Sequence, residues 1–225
     1  MGYIKKKDYE NFILRIENKL KDYCWVNHTN KVIFFVIPKN ASTAIRNSRL
    51  MRGSYRTTYS SLRKLNNFEE YETFVVLRNP LERVISAYYE VLRGNNPDNI
   101  YNTAGDKKFV LLNNDLDRFE CLLDEIVEHG FFDGHLKPQN YFVTDESGKE
   151  IKIDNYLFFE TITQEFYTFC ARRRIFCILP NMNAFAKGHK KELILSVKSN
   201  ERILKKFNDL YGADVRLYRE KSSSS

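Results

Sequence analysis

The sequence predicts an α/β fold, a central parallel sheet flanked by helices. Three observations carry that expectation. Short runs recur that are apolar throughout and rich in β-formers, as strands buried on both faces are. Each is followed by a turn and then by apolar residues at helical spacing. No internal repeat or linker cuts the chain in two. Taken in order, Phe12, Ile13, Ile16 and Leu20 predict an amphipathic helix over 7–22, within an N-terminal helical extension of residues 1–30. "KVIFFVI" (31–37) is the first buried strand, and a helix follows over 42–52. "YETFVVLR" (71–78) is the second strand, broken by Asn79-Pro80. "PLERVISAYYEVLRG" then reads as a helix, with Pro80 near its start and Gly94 at its end. "NNPDNIYNTAGD" is a loop, "DLDRFECLLDEIVEHG" (115–130) a helix stopped by Gly130, and "DESGKE" a turn. "IDNYLFFE" (153–160) is the third strand and "TQEFYTFCARR" the helix after it. "RIFCILP" (174–180) reads as a short fourth strand, and 190–211 as one or two final helices. One domain is expected over 31–218, with residues 219–225 a disordered tail ending in "KSSSS".

Composition narrows the function classes. With 43% hydrophobic and 14% aromatic residues in 225, the chain can bury a core, which excludes wholesale disorder. Its net charge of +7 suits an anionic partner: a nucleotide, an acidic glycan, a nucleic acid or a membrane surface. The four cysteines, Cys24, Cys121, Cys170 and Cys177, form no CxxC pair and no metal-ligand spacing with histidines, so no metal is expected; buried free thiols are the simpler reading, with a Cys170–Cys177 pair the alternative. No run reaches the ~18 apolar residues of a membrane span, and no apolar stretch of a signal peptide follows "MGYIKKKDYENF"; a cytoplasmic protein without membrane insertion is expected.

Two strand ends carry the chemistry. Ligands of parallel α/β sheets sit at the carboxyl ends of strands. The first segment, Pro38-Lys39-Asn40-Ala41-Ser42-Thr43, has the strand–loop–helix order of a P-loop NTPase-like phosphate site but lacks its glycines. Small residues let backbone N–H groups approach an anion, Lys39 adds a charge, and the Ser42 and Thr43 hydroxyls add donors. An ordinary capped strand-to-helix turn is the alternative. In the second segment, "FVVLRNPLERVISAYY", Arg78 closes the strand and Ser86 lies two turns into the helix. An arginine there can grip a phosphate with two bonds, and the serine can share it; a salt bridge to Glu82 or Glu90 is the alternative for Arg78.

Together the segments resemble the cofactor-binding signature of sulfotransferases that use 3′-phosphoadenosine 5′-phosphosulfate (PAPS), most closely the carbohydrate sulfotransferases of the Golgi type. "IPKNASTAIR" is similar to the family's loop around the 5′-phosphosulfate, and "LRNPLERVISAYY" to its "RDPxERxxSAY" run on the 3′-phosphate, with Asn79 in place of the usual Asp. "GHLKPQNYFV" resembles "HWxPQ", "NYLFFETITQEF" the strand that places an acidic residue at Glu160, "LPNMNAF" the "LPhvNxs" run, and "FNDLYGADVRLY" the closing segment. The likeness spans about residues 31–218, and the Golgi members' membrane anchor has no counterpart.

The resemblance implies sulfuryl transfer from PAPS to an acceptor hydroxyl, on a carbohydrate by family likeness. Lys39 would neutralise the leaving oxygen, the 38–43 loop would hold the 5′ end, and Arg78 with Ser86 the 3′-phosphate. His135 is the first candidate for general base and Glu160 the second. Related enzymes place a base between the two phosphate segments; here that interval has no His, and Glu69, Glu70 and Glu72 read as a solvated cluster. Lys187 and Gly188 would lie in a basic loop closing over the nucleotide, or in a plain solvated turn. The rival readings are a small-molecule or nucleotide kinase, which lacks its G-x-x-x-x-G-K-[ST] loop here, a nucleic-acid-binding protein, whose basic residues are scattered apart from "ARRR", and a member that binds donor without transfer. No nucleic-acid partner is expected.

Overall fold

Five strands form one sheet in the order β3-β1-β2-β4-β5. They are β1 Tyr23–Asn27, β2 Val32–Phe35, β3 Tyr55–Thr58, β4 Glu72–Leu77 and β5 Asn155–Phe158. The computed structural model describes residues 23–64, 67–92, 112–131, 133–145, 147–179 and 187–223. Among these, the helices are α1 Ser42–Arg46, α2 Tyr59–Leu62, α3 Pro80–Leu92, α4 Asp115–His129, α5 Ile162–Ala171, α6 Lys187–Lys198 and α7 Glu201–Ser222. The described parts of Met1–Leu77 and Gln139–Met182 form a sheet unit, and those of Arg78–Pro138 and Asn183–Ser225 a helical unit.

In the sheet unit, β2, β4 and β5 pair in parallel, with Phe34 opposite Phe74 and Val76 opposite Leu157. All four β2 residues and the last five of β4 are buried, which explains their unbroken apolar sequence. Parallel pairing brings the carboxyl ends of the three strands to one edge, where ligand loops of such sheets leave. On one face Phe34 stacks on Phe74 at 4.9 Å, and Phe166 and Phe169 of α5 close over Phe74. Val32, Val76, Ile45 and Leu157 fill in around them. Cys170 and Cys177 lie in the same cluster as free thiols, and burial beside Cys177 pushes the Cys170 thiol up to about 12.

Several expectations change. The sheet is mixed: β1 runs antiparallel to both β2 and β3. Residues 23–30, read as part of a helical extension, supply β1 and its turn into β2, while the helix expected over 7–22 lies outside the described residues. β3 escaped detection because its "YRTT" is almost wholly exposed, as suits an edge strand. The 42–52 helix stops at Arg46, because Ser48 takes an extended backbone before a short 3-10 turn at Arg49–Met51. Residues 175–179 alternate as a strand would, with Phe176 and Ile178 64% exposed and Cys177 and Leu179 buried, yet they join no ladder of the five-stranded sheet. The 95–106 loop lies outside the described residues.

The helical unit packs α3, α4, α6 and α7 on one another. Asn114 and Asn200 cap α4 and α7 through side-chain oxygens, and Gly130 (φ 78°) ends α4. Tyr88 and Tyr89 of α3 both donate to the Asp115 carboxylate, at 3.1 and 2.7 Å. Glu120 of α4 takes Arg202 at 2.5 Å and Lys206 at 2.8 Å from α7. The final region is two helices, α6 and α7, and α7 kinks at Tyr211 before continuing to Ser222, beyond the expected start of the tail. Among the described residues no helix is long and apolar enough to cross a membrane.

Candidate functional site

The loop after β2 owes its shape to a side chain. Lys39 (φ 70°) and Ala41 (φ 59°) both take the left-handed backbone that normally favours glycine, at a cost of about 1–3 kcal/mol each. Asn40 between them is buried, and its Nδ2 donates to the Val76 carbonyl at 2.7 Å and to Gln139 Oε1 at 2.6 Å. Its own N–H reaches the Ile37 carbonyl at 3.3 Å. Asn40 therefore clamps the loop to β4 and to Gln139, and the loop needs no glycine. Asn40→Ala is expected to lower stability by about 1–3 kcal/mol, measured by denaturant titration, because two buried hydrogen bonds go with the amide.

The clamp leaves small and donor-bearing residues outward. Pro38, Lys39, Ala41 and Ser42 are half-buried and Thr43 is exposed. No side chain caps α1, so its first turn keeps N–H groups for another acceptor. Arg46 folds back on this turn: Nε donates to the Ser42 carbonyl at 3.3 Å, and the guanidinium lies 5.4 Å over the Trp25 ring. The alternation of left-handed residues with Asn40 is of the kind that turns successive N–H groups toward an anion.

The helical unit opens on Arg78, whose side chain is 13% exposed and whose Nη2 lies 3.8 Å from Glu82 Oε2, too far for a hydrogen bond. Asn79 caps α3, its Oδ1 accepting the Glu82 N–H at 3.3 Å; asparagine and aspartate cap equally well, so the departure from Asp has no structural cost. Ser86 is buried on α3, and Lys190 of α6 donates to its Oγ at 3.4 Å while standing 5.9 Å over the Tyr89 ring. Arg83, one turn earlier, is wholly buried and donates from Nη2 to the His135 carbonyl at 3.2 Å. Burial draws its guanidinium below the usual range, and the buried Asp214 carboxylate offsets this.

His135 sits in a tight turn. Asp133 Oδ1 accepts the His135 backbone N–H at 2.6 Å and its ring Nδ1–H at 2.9 Å. The Tyr211 hydroxyl donates to the Leu136 carbonyl at 2.7 Å, and its own ionisation is pushed well up by burial. The imidazole is one-third exposed, and among the described residues its Nε2 makes no hydrogen bond.

Glu160 is exposed in the 3-10 turn Phe159–Thr161 after β5. Lys187 and Gly188 open α6 and are helical, correcting the expected loop; of "LPNMNAF" only Leu179 is described. Glu70 pairs with Lys31 at 3.0 Å, and Glu72 with Arg173 and Asn155, so both hold structure. Thus the sheet unit carries the 38–43 loop and Glu160, and the helical unit carries Arg78, Ser86 and His135. Sequence reasoning passed over Arg46, Arg83, Asp133 and Lys190. Only Asp133 had a local signal, an Asx-type spacing two residues before His135.

Residues 22–219 match the sulfotransferase family, a span that takes in β1. No curated protein and no solved structure gives a significant match.

Proposed function

Because the chain belongs to the sulfotransferase family, with sulfuryl transfer as its reaction, we propose that it uses PAPS as donor and a carbohydrate hydroxyl as acceptor. The observation that carries this reading is the Asn40-clamped loop, which keeps Lys39 and an uncapped helix start together without glycines. The side chains assigned to the donor fit it: Lys39, Ser42, Thr43, Arg78 and Ser86 all donate hydrogen bonds, as phosphate and sulfonate oxygens require, and none is a carboxylate. The surplus of positive charge suits an acidic glycan as acceptor.

When bound, the donor supplies a sulfuryl group activated by its bond to the 5′-phosphate. Pro38, Asn40 and Ala41 shape the loop whose amides, with the Ser42 and Thr43 hydroxyls, take the 5′ end. Lys39 offers its ammonium to the oxygen on which negative charge grows. Arg78 and Ser86 take the 3′-phosphate and so select this nucleotide over ordinary adenylates. Lys187 and Gly188 are assigned to the donor as well, at the start of α6. His135 removes the acceptor's proton through Nε2, with Glu160 the second candidate.

Lys190, already bonded to Ser86, adds a third donor to the 3′-phosphate set. Lys190→Ala is expected to raise the KM for donor about tenfold, the size of one hydrogen bond to a charged group, with kcat little changed. The reading as a whole is tested by incubation with ³⁵S-labelled donor and a panel of glycans, small alcohols, amines and tyrosine peptides. Label moving to a glycan is the expected result. Donor binding with no transfer to any acceptor would overturn it.

A further inference from the structure

The helical unit contains more machinery around His135 than a base alone requires. Asp133 Oδ1 accepts from both the backbone N–H and ring Nδ1 of His135, at 2.6 and 2.9 Å. A carboxylate oxygen accepts and does not donate, so this contact requires the proton to stand on Nδ1. Neutral imidazole then carries its lone pair on Nε2, the nitrogen with no hydrogen bond among the described residues. We propose that Asp133 is a positioning residue that holds His135 in the Nδ1–H tautomer, with Nε2 ready to take the proton of the acceptor hydroxyl. The inference rests on His135 being the base of the proposed reaction. As the acceptor oxygen bonds to sulfur and the bond from sulfur to the 5′-phosphate oxygen breaks, the hydroxyl proton passes to Nε2, and the resulting imidazolium is stabilised by the Asp133 carboxylate.

The backbone of the turn is fixed from a second side. Arg83 donates to the His135 carbonyl at 3.2 Å and Tyr211 to the next carbonyl, Leu136, at 2.7 Å. Both side chains are fully buried, and so is Asp214, which faces Arg83 as its counter-charge. The Leu136 N–H closes the turn on the Asp133 carbonyl at 3.0 Å. Two adjacent carbonyls held by buried donors leave the ring little freedom besides rotation about its own side-chain bonds, and Asp133 removes that. The Asp133 side chain is only 10% exposed, so water competes weakly for its oxygen. Placing a buried arginine under a turn is costly for structure alone. It is accounted for if the turn must hold one side chain in one orientation.

The test combines spectroscopy with kinetics. In protein labelled with ¹⁵N-histidine, long-range ¹H–¹⁵N spectra distinguish the tautomers, and His135→Gln identifies the His135 signals among the four histidines. At a pH where the ring is neutral, the wild type is expected to show Nδ1–H with a bare Nε2. Asp133→Asn replaces the one carboxylate oxygen that accepts both N–H groups with an uncharged amide, a weaker acceptor that also carries an N–H donor, so the hold on Nδ1–H is expected to weaken and the ring to shift toward Nε2–H. Its kcat is expected to fall on the order of a hundredfold, with donor KM and melting temperature nearly unchanged. In the His135→Gln background the same change is expected to have no further effect on kcat. A wild-type ring that is Nε2–H, or one that Asp133→Asn does not alter, overturns this inference while leaving the donor reading intact. Full activity in His135→Gln overturns both the base and the role given to Asp133.

Discussion

Lys39→Ala is expected to lower kcat by about 10²–10³-fold, because it removes a preorganised charge from the oxygen on which charge develops. The effect should fall mainly on kcat, since charge on that oxygen grows in the transition state and the loop amides still bind the ground state. Fold should survive: the clamp that shapes the loop runs through Asn40 to Val76 and Gln139, not through Lys39. Single-turnover measurements with saturating donor separate the two effects. Near-wild-type turnover would remove Lys39 from the chemistry, and a large rise in KM with unchanged kcat would make it a binding residue only.

Arg78→Ala is expected to weaken binding of adenosine 3′,5′-bisphosphate by about a hundredfold, the upper range for a hydrogen-bonded charged group. The Arg78 ion pair with Glu82 is long, at 3.8 Å, and helix α3 is capped by Asn79 instead. Arg78→Lys should recover only part of the loss, because an ammonium cannot make the paired bonds of a planar guanidinium. Calorimetry on the three proteins reads this directly. Equal affinities would assign Arg78 to a structural ion pair.

How much of this was legible in the sequence depended on distance along the chain. β2 and β4 announced themselves because buried parallel strands are apolar on both faces, and β5 through its short apolar run ending in buried Leu157 and Phe158. β1, with its mixed "YCWVN", and the polar β3 gave no such sign, so the sheet was expected to be purely parallel and is mixed. The phosphate loop was visible from Lys39, Ser42 and Thr43, but its missing glycines were puzzling. Their substitute, Asn40, acts through partners 36 and 99 positions away, which no local pattern displays. Arg83 was hidden for the same reason: its partners on the His135 turn and at Asp214 lie in later segments. Residues 175–179 erred in the other direction, having strand periodicity without pairing to any strand of the sheet.

The central claim is that this protein recognises its donor by both phosphates, and one titration addresses it most directly. Calorimetry should compare adenosine 3′,5′-bisphosphate with adenosine 5′-monophosphate, on wild type and on Arg78→Ala. The expected result is a preference for the bisphosphate of about a hundredfold in wild type that largely disappears in the variant. Equal binding of the two nucleotides by the wild-type protein would contradict the account.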